Sequence, residues 1–284
     1  MSEPMQTTAL GAGFYLYCLA RPSCLGRVAA LGEITLRGVD ERYPVTLLTE
    51  TNAEAQVVAV ISEVDIGDFS EENLQTLPWV GERAGQHETV VAEIMETSPV
   101  LPVKFGTIFR THASLAAFMA THRKAIDQAL DALRDKTEWS VKGYLEHEDA
   151  ARQIFAAADP GISLRRSSLS ASPGARYLQQ KQLDVLIEKA LEAGVARVTG
   201  DLQQALQQAA VAATQLRCHS SAMTGRPERM VFNASFLLAP DALPEFRRVL
   251  AEQQMYDKKM GLSLELRGPW PPYNFCPDLS EATP

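Results

Sequence analysis

Residues 261–275 read GLSLELRGPWPPYNF. In the first half Leu262, Leu264 and Leu266 point one way and Ser263, Glu265 and Arg267 the other, the period-two alternation of a strand with one buried face. Gly268 and Pro269 are expected to end that strand, because proline has no N–H to give a ladder and constrains the residue before it. Beyond them, Trp270, Tyr273 and Phe275 ride on a stiff run that contains Pro271 and Pro272. The prolines lower the entropy lost on ordering the run, which predicts a pre-shaped strap. We read its rings as packed, since large aromatic side chains gain most from burial. The alternative leaves one of Trp270, Tyr273 or Phe275 exposed as an anchor for a partner.

Upstream, Pro240-Asp241 caps a helix that runs to about Asp257, and residues 229–239 (RMVFNASFLLA) form a strand. Residues 175–217 carry apolar side chains every three or four positions, from Ile187 through Leu191, Val198, Leu202, Leu206 and Ala213 to Leu216. Gly194 and Gly200 are the glycines within it. This spacing predicts a helix or helical hairpin of great length with a coiled-coil-like seam. We expect the seam to cover a sheet; on the alternative, Leu202 and Leu206 meet a partner. Residues 163–174 are serine-rich and aperiodic and read as a mobile loop. Residues 148–158 form a helix stopped by Asp159-Pro160-Gly161, and 138–145 form a strand with Trp139 and Val141 on one face. A domain boundary is expected at Lys136-Thr137, giving domains 1–136 and 137–284, the second with the order β-α-α-β-α-β.

The first half begins with strands at 14–20, 32–37, 43–49 and 56–64, joined by short turns at Gly38-Val39-Asp40 and Thr51-Asn52, an antiparallel, meander-like start. Ser70 with Asn73 caps a short helix, Pro78 interrupts, and a second helix spans 79–95 with His87 on its apolar stripe. Residues 98–109 are strand-like and punctuated by proline. A long helix over 114–134 presents Leu115, Met119, Ile126 and Leu130 on one side. The fold class is therefore α+β, with helices packed on antiparallel sheets.

Hydrophobic residues make up 46% of the 284 residues and charged ones 22%, a composition that builds cores. A net charge of −8 argues against nucleic acid and against an anionic membrane surface as partners. The apolar run 57–61 is far short of a membrane span, and MSEPMQTTALGAG lacks the features of a secretory signal. Cys18, Cys24, Cys218 and Cys276 show no C-x-x-C spacing and read as reduced thiols of a cytoplasmic protein.

Tests for chemistry return nothing. Gly11-Ala12-Gly13 precedes a strand instead of following one, and neither G-x-x-x-x-G-K-[ST] nor G-x-S-x-G occurs. His87-Glu88 lacks the second histidine of a zinc-protease helix, so His87 reads as a satisfied core residue. Cys218-His219 lacks two further ligands at a fitting spacing. His147 reads as solvated, and Lys104 and Arg110 as members of ion pairs. No catalytic residue, metal ligand or cofactor is expected.

Several separated stretches nevertheless fit one pattern: residues 14–18 (FYLYC), 79–88 with its His-Glu pair, 99–107 (PVLPVKFGT), 138–142 (EWSVK), 172–178 (SPGARYL) and 268–275 (GPWPPYNF). In this order they resemble the gas vesicle protein F/L family, from about Phe14 to Phe275, and the last octet is the most specific. The acidic, proline-ended tail after Phe275 departs from the pattern. The resemblance implies two α+β domains, the second ferredoxin-like with a long helical insertion at about 173–217. It also implies a non-enzymatic, cytoplasmic and gas-vesicle role. The partners it implies are the main hydrophobic shell protein and other gas vesicle accessory proteins. One form of that role is an assembly factor, the other a minor component retained on the inner wall of the finished vesicle.

Overall fold

In the computed structural model, which describes residues 11–24, 26, 36–49, 57–257 and 260–279, the central strand of the first half is β1 (Ala12–Ala20). Residues 15–20 are fully buried, as a strand covered on both faces requires. β2 (Val45–Thr49), β3 (Val58–Asp65) and β4 (Val100–Pro102) complete the order β2-β3-β1-β4, and β5 (Ile108–Phe109) also pairs with β1. All the pairings of β1 and β2 are antiparallel, with a register shift between Leu16 and Cys18. The stretch 98–109 is thus two short strands, parted by a turn with Gly106 at φ 82. Of the strand expected at 32–37, residues 32–35 lie outside the described residues, as does the turn at Thr51-Asn52; Arg37 makes a bridge to Pro44.

Two helices pack on this sheet. The first, α1 (Leu77–Met95), buries His87, Val90, Val91 and Ile94. Pro78 does not interrupt it but stands in its first turn, where a missing N–H costs no helical hydrogen bond. The second, α2 (His112–Ala132), starts at a capping box: the Ser114 N–H donates to Thr111 Oγ1 at 3.0 Å and the Thr111 N–H to Ser114 Oγ at 3.3 Å. It buries Leu115, Met119, Ile126 and Leu130, the stripe its spacing predicts. Arg21 donates to Asp127 Oδ1 at 2.6 Å and so ties the end of β1 to this helix.

The second half begins with β6 (Thr137–Leu145), followed by α3 (Glu148–Ala158), α4 (Pro160–Ser167) and α5 (Pro173–Gln208). Then come β7 (Ala212–Gln215), β8 (Arg229–Leu238), α6 (Leu243–Asp257) and β9 (Leu262–Trp270). The strand order is β7-β8-β6-β9. Its core joins Trp139 and Val141 of β6, Phe155 of α3, Phe232 and Phe236 of β8, Phe246 of α6 and the inward leucines of β9.

Three expectations are corrected here. Residues 160–167 are helical, not a mobile loop: the Asp159 carboxylate accepts from the Gly161 and Ile162 amides at 2.7 and 3.2 Å, and Ile162 is buried. The long helix stops at Gln208, and Ala213 lies in β7, which pairs antiparallel with β8 from Ala212↔Leu237 to Gln215↔Ala234. β9 does not end at Gly268 but runs through Pro269 to Trp270. It is an edge strand, where a residue without an N–H is tolerated. Gly268 sits at φ 144, and a Cβ there would lie 2.9 Å from the Glu138 carbonyl.

The chain divides into two compact units, Met1–Thr137 with Trp270–Pro284, and Glu138–Pro269. The residues after Pro269 therefore pack with the first unit instead of the second half, where they were expected.

Candidate functional site

In the strap Pro271 and Pro272 are buried, whereas Tyr273 and Phe275 are partly covered and Trp270 is 41% exposed. The expectation of three packed rings fails at Trp270, which leaves the sheet edge toward solvent. A short 3-10 turn, Tyr273–Phe275, is closed by hydrogen bonds from the Tyr273 amide to the Pro271 carbonyl at 2.8 Å and from the Phe275 amide to the Pro272 carbonyl at 3.1 Å. This turn sets the Tyr273 ring 6.2 Å from the His87 ring.

Beneath it lies a closed polar cluster inside the first unit. The Tyr15 phenol accepts from the Gly106 amide at 3.1 Å, and its oxygen lies 2.9 Å from His87 Nδ1, in hydrogen-bond contact. Burial holds the His87 pKa down to about 4, against a smaller opposing effect of the Val103 carbonyl, so the ring is neutral near pH 7. The Tyr17 phenol accepts from the Val39 amide at 2.7 Å and meets Ser62 Oγ at 2.8 Å. Burial pushes its pKa up to about 12, despite those two hydrogen bonds, and raises Tyr15, Tyr273, Cys18 and Cys24 as well. Every such shift favours the neutral, unreactive form; the cluster serves to hold the sheet, α1 and the strap together. The sequence marks His87 as a core residue and places Tyr15 in the opening strand 14–20, but does not pair the two. The signal was there in the tyrosines that interrupt an otherwise apolar β1.

Leu202 and Leu206 are fully buried in the core of the second unit. A partner would reach them only by displacing the sheet, so the exposed surface of α5 lies elsewhere. No residue of α5 before Leu183 is buried. Tyr177 and Leu178 are each 63% exposed, and Leu164 of α4 is exposed beside a basic pair, Arg165-Arg166. Sequence reading passed over these residues because they precede the seam and adjoin a serine-rich run that carries no period.

The remaining sequence candidates stay apart. His147, Cys218 and His219 are exposed, and Lys104 lies at the surface near Gly106. All four cysteines are free thiols. Among the described residues no three His, Cys, Asp or Glu side chains are grouped to hold a metal ion, and no helix is long and apolar enough to cross a membrane. The depression at Glu146, His147, Glu148 and Asp149 is shallow, and Arg152 binds Glu148 at 2.9 Å and Asp149 at 2.6 Å, so those two carboxylates are already matched.

A family model described as gas vesicle synthesis protein GvpL/GvpF matches residues 13–277. Gas vesicle protein L of Streptomyces sp. (strain CB03234) is 27% identical over 234 residues, 78% of this chain and 80% of its own length. Gas vesicle protein L2 of Halobacterium salinarum is 24% identical over 289 residues, 99% of this chain and 98% of its own. The crystal structure of the gas vesicle protein GvpF from Anabaena sp. PCC7120 shares the fold, with a TM-score of 0.69 at 16% identity over 94% of this chain and 99% of that one.

Proposed function

The chain belongs to the GvpL/GvpF family of gas vesicle synthesis proteins, and from that premise we propose that it is a non-enzymatic accessory factor of vesicle assembly. It binds the main, hydrophobic shell protein in the cytoplasm, alongside other gas vesicle accessory proteins. The observation that carries this reading is the family match across residues 13–277.

The physical argument runs through solubility. A shell subunit with a water-repelling face aggregates before assembly unless that face is covered. This chain offers exposed apolar side chains on stable elements, Trp270 at the end of β9 and Tyr177 and Leu178 on α5, while its net charge of −8 keeps a complex dispersed. Trp270, Tyr273 and Phe275 remain candidates for partner contact, Trp270 foremost because it is exposed. We further read the two units as domains divided near Lys136. The order β7-β8-β6-β9, with helices between β6 and β7 and between β8 and β9, supports a ferredoxin-like second domain in which α5 is the long insertion.

The test is co-expression of the tagged full chain with the shell subunit. Co-elution of soluble shell subunit, together with washed, intact vesicles that lack the chain, is the expected result. A shell subunit that pellets equally with and without the chain, and never co-elutes, refutes the reading. Retention in washed vesicles at fixed stoichiometry would make the chain a structural component instead.

A further inference from the structure

α5 is far longer than the part of it that packs. It spans 36 residues, on the order of 54 Å at helical rise, yet its first buried side chain is Leu183, which sits with Ile162 of α4 and Ala156 of α3. Residues 171–182 are exposed throughout. Leu178 and Val185 are seven residues apart and therefore lie on one line of the helix, with Lys181 between them and Leu183 on the opposite side. Leu178 is 63% and Val185 55% exposed, and Tyr177 adjoins them at 63%. This is an apolar stripe on the side of the helix turned away from α3 and α4.

Its charge setting says what fits there. From Leu164 to Gln182 the chain has Arg165, Arg166, Arg176 and Lys181 and no aspartate or glutamate, although the whole chain carries −8. None of these four makes an ion pair with a described residue; Lys181 rests over the Tyr177 ring at 6.0 Å. Ser172, at the N-cap of α5, makes no side-chain hydrogen bond, so the first-turn amides and the positive end of the helix add to the same sign. The carboxylates nearest the stripe stand at its Val185 end, where Asp184 accepts from Gln180 at 2.9 Å and Glu188 is matched by Arg152 at 3.0 Å, so the Leu178 end is the cationic one. An apolar stripe with cations around its Leu178 end, on an otherwise acidic protein, is complementary to a helix with one apolar face and carboxylates along its flank.

We infer that the solvent face of the first turns of α5 docks an acidic amphipathic helix of a partner protein. The inference rests on the reading that this chain binds assembly partners, and names where. A second copy of the chain is the competing occupant, since its surface too is acidic.

The probe is a fluorescent peptide about five turns long, leucine on one face and glutamate on the other, with a twin bearing lysine for glutamate. Anisotropy with the full chain should show the glutamate peptide binding at least about ten-fold more tightly than its twin, and weakening as salt rises. The pair Leu178→Ser with Val185→Ser should lower that affinity by about ten-fold or more while leaving the thermal unfolding curve unchanged, because both side chains are exposed. Arg165→Gln with Arg166→Gln should lower it chiefly at low salt. Equal affinity for both peptides, or unchanged binding by the Leu178/Val185 variant, overturns the inference. So does a wild-type dimer in sedimentation that Leu178→Ser converts to monomer. Co-purification of the shell subunit separates the two levels. If the Leu178/Val185 variant still carries the subunit, this surface falls and the proposed function stands. If the wild type never carries it, the function falls, and the peptides decide the surface by themselves.

Discussion

Gly194 of α5 lies against the Phe155 ring of α3, and replacing it with alanine tests how the long helix is aimed. A Cβ built there lies 2.2 Å from Phe155 Cδ1 and 2.5 Å from Cγ and Cε1, whereas ordinary contact begins at 3.4 Å. Phe155 is 6% exposed and belongs to the core, so its ring has no room to swing outward. Either the ring leaves its rotamer or α5 moves by about 1 Å, and overpacking of this kind costs about 1–3 kcal/mol. Alanine returns about 0.5–1 kcal/mol through its better helix propensity. At an approach of 2.2 Å the upper part of that range, about 2–3 kcal/mol, applies, so the expected net loss is about 1–2.5 kcal/mol, a fall in melting temperature of about 3–12 °C for a domain of this size. Urea unfolding followed by circular dichroism gives the magnitude, and hydrogen exchange in α3 and α5 gives the location. Phe155→Leu makes space, so combining it with Gly194→Ala should destabilise less than the two single changes added together, with a coupling of about 0.5–3 kcal/mol. An alanine variant as stable as the wild type, or strictly additive pairs, would refute the close-approach argument.

Other consequences can be measured in the same way. The folded His87 ring stays neutral down to about 4, while the unfolded one takes up a proton below 6.5. The unfolded state thus binds more protons in that window, so stability present at neutral pH falls as pH drops from 6.5 to 4, by about 3 kcal/mol. In His87→Gln that component should vanish from the pH dependence of the urea midpoint; an unchanged profile would contradict it. Trp270→Ala should cost about 1–2 kcal/mol, below the ~3–5 of a buried ring, because 41% of the residue is already in water; a larger loss by calorimetry would mean the ring is packed. Asp159→Ala removes the acceptor for two amides of α4 and should weaken that helix by about 1 kcal/mol, seen as faster exchange over residues 160–167.

Elements that bury one clean face were legible in the sequence. β9 shows its leucine alternation and α2 its three-and-four spacing. What escaped were elements whose identity is set by neighbours. β7 is four residues, Ala212–Gln215, whose alanines extend the helical period of α5; only pairing with β8 makes it a strand. α4 hides among serines and depends on one carboxylate cap and one buried isoleucine. Pro269 stops a central strand but not an edge strand, and strand order is a tertiary fact. Among the candidate contact residues, periodicity singled out Leu202 and Leu206 because regular apolar spacing marks what is buried. By the same logic it passed over Leu178 and Val185, whose exposure shows only once the reach of α3 and α4 is known.

The return of Trp270–Pro284 to the first unit makes the second an insertion, held by the chain at both its ends. On the ribosome, everything from Glu138 to Pro269 must be synthesised before the residues that cover His87 emerge. The N-terminal unit is started first and finished last. A stop codon or bulky fusion just after Pro269 would accordingly injure the far end of the sequence, lowering protection of β1 and α1 while sparing the helices between.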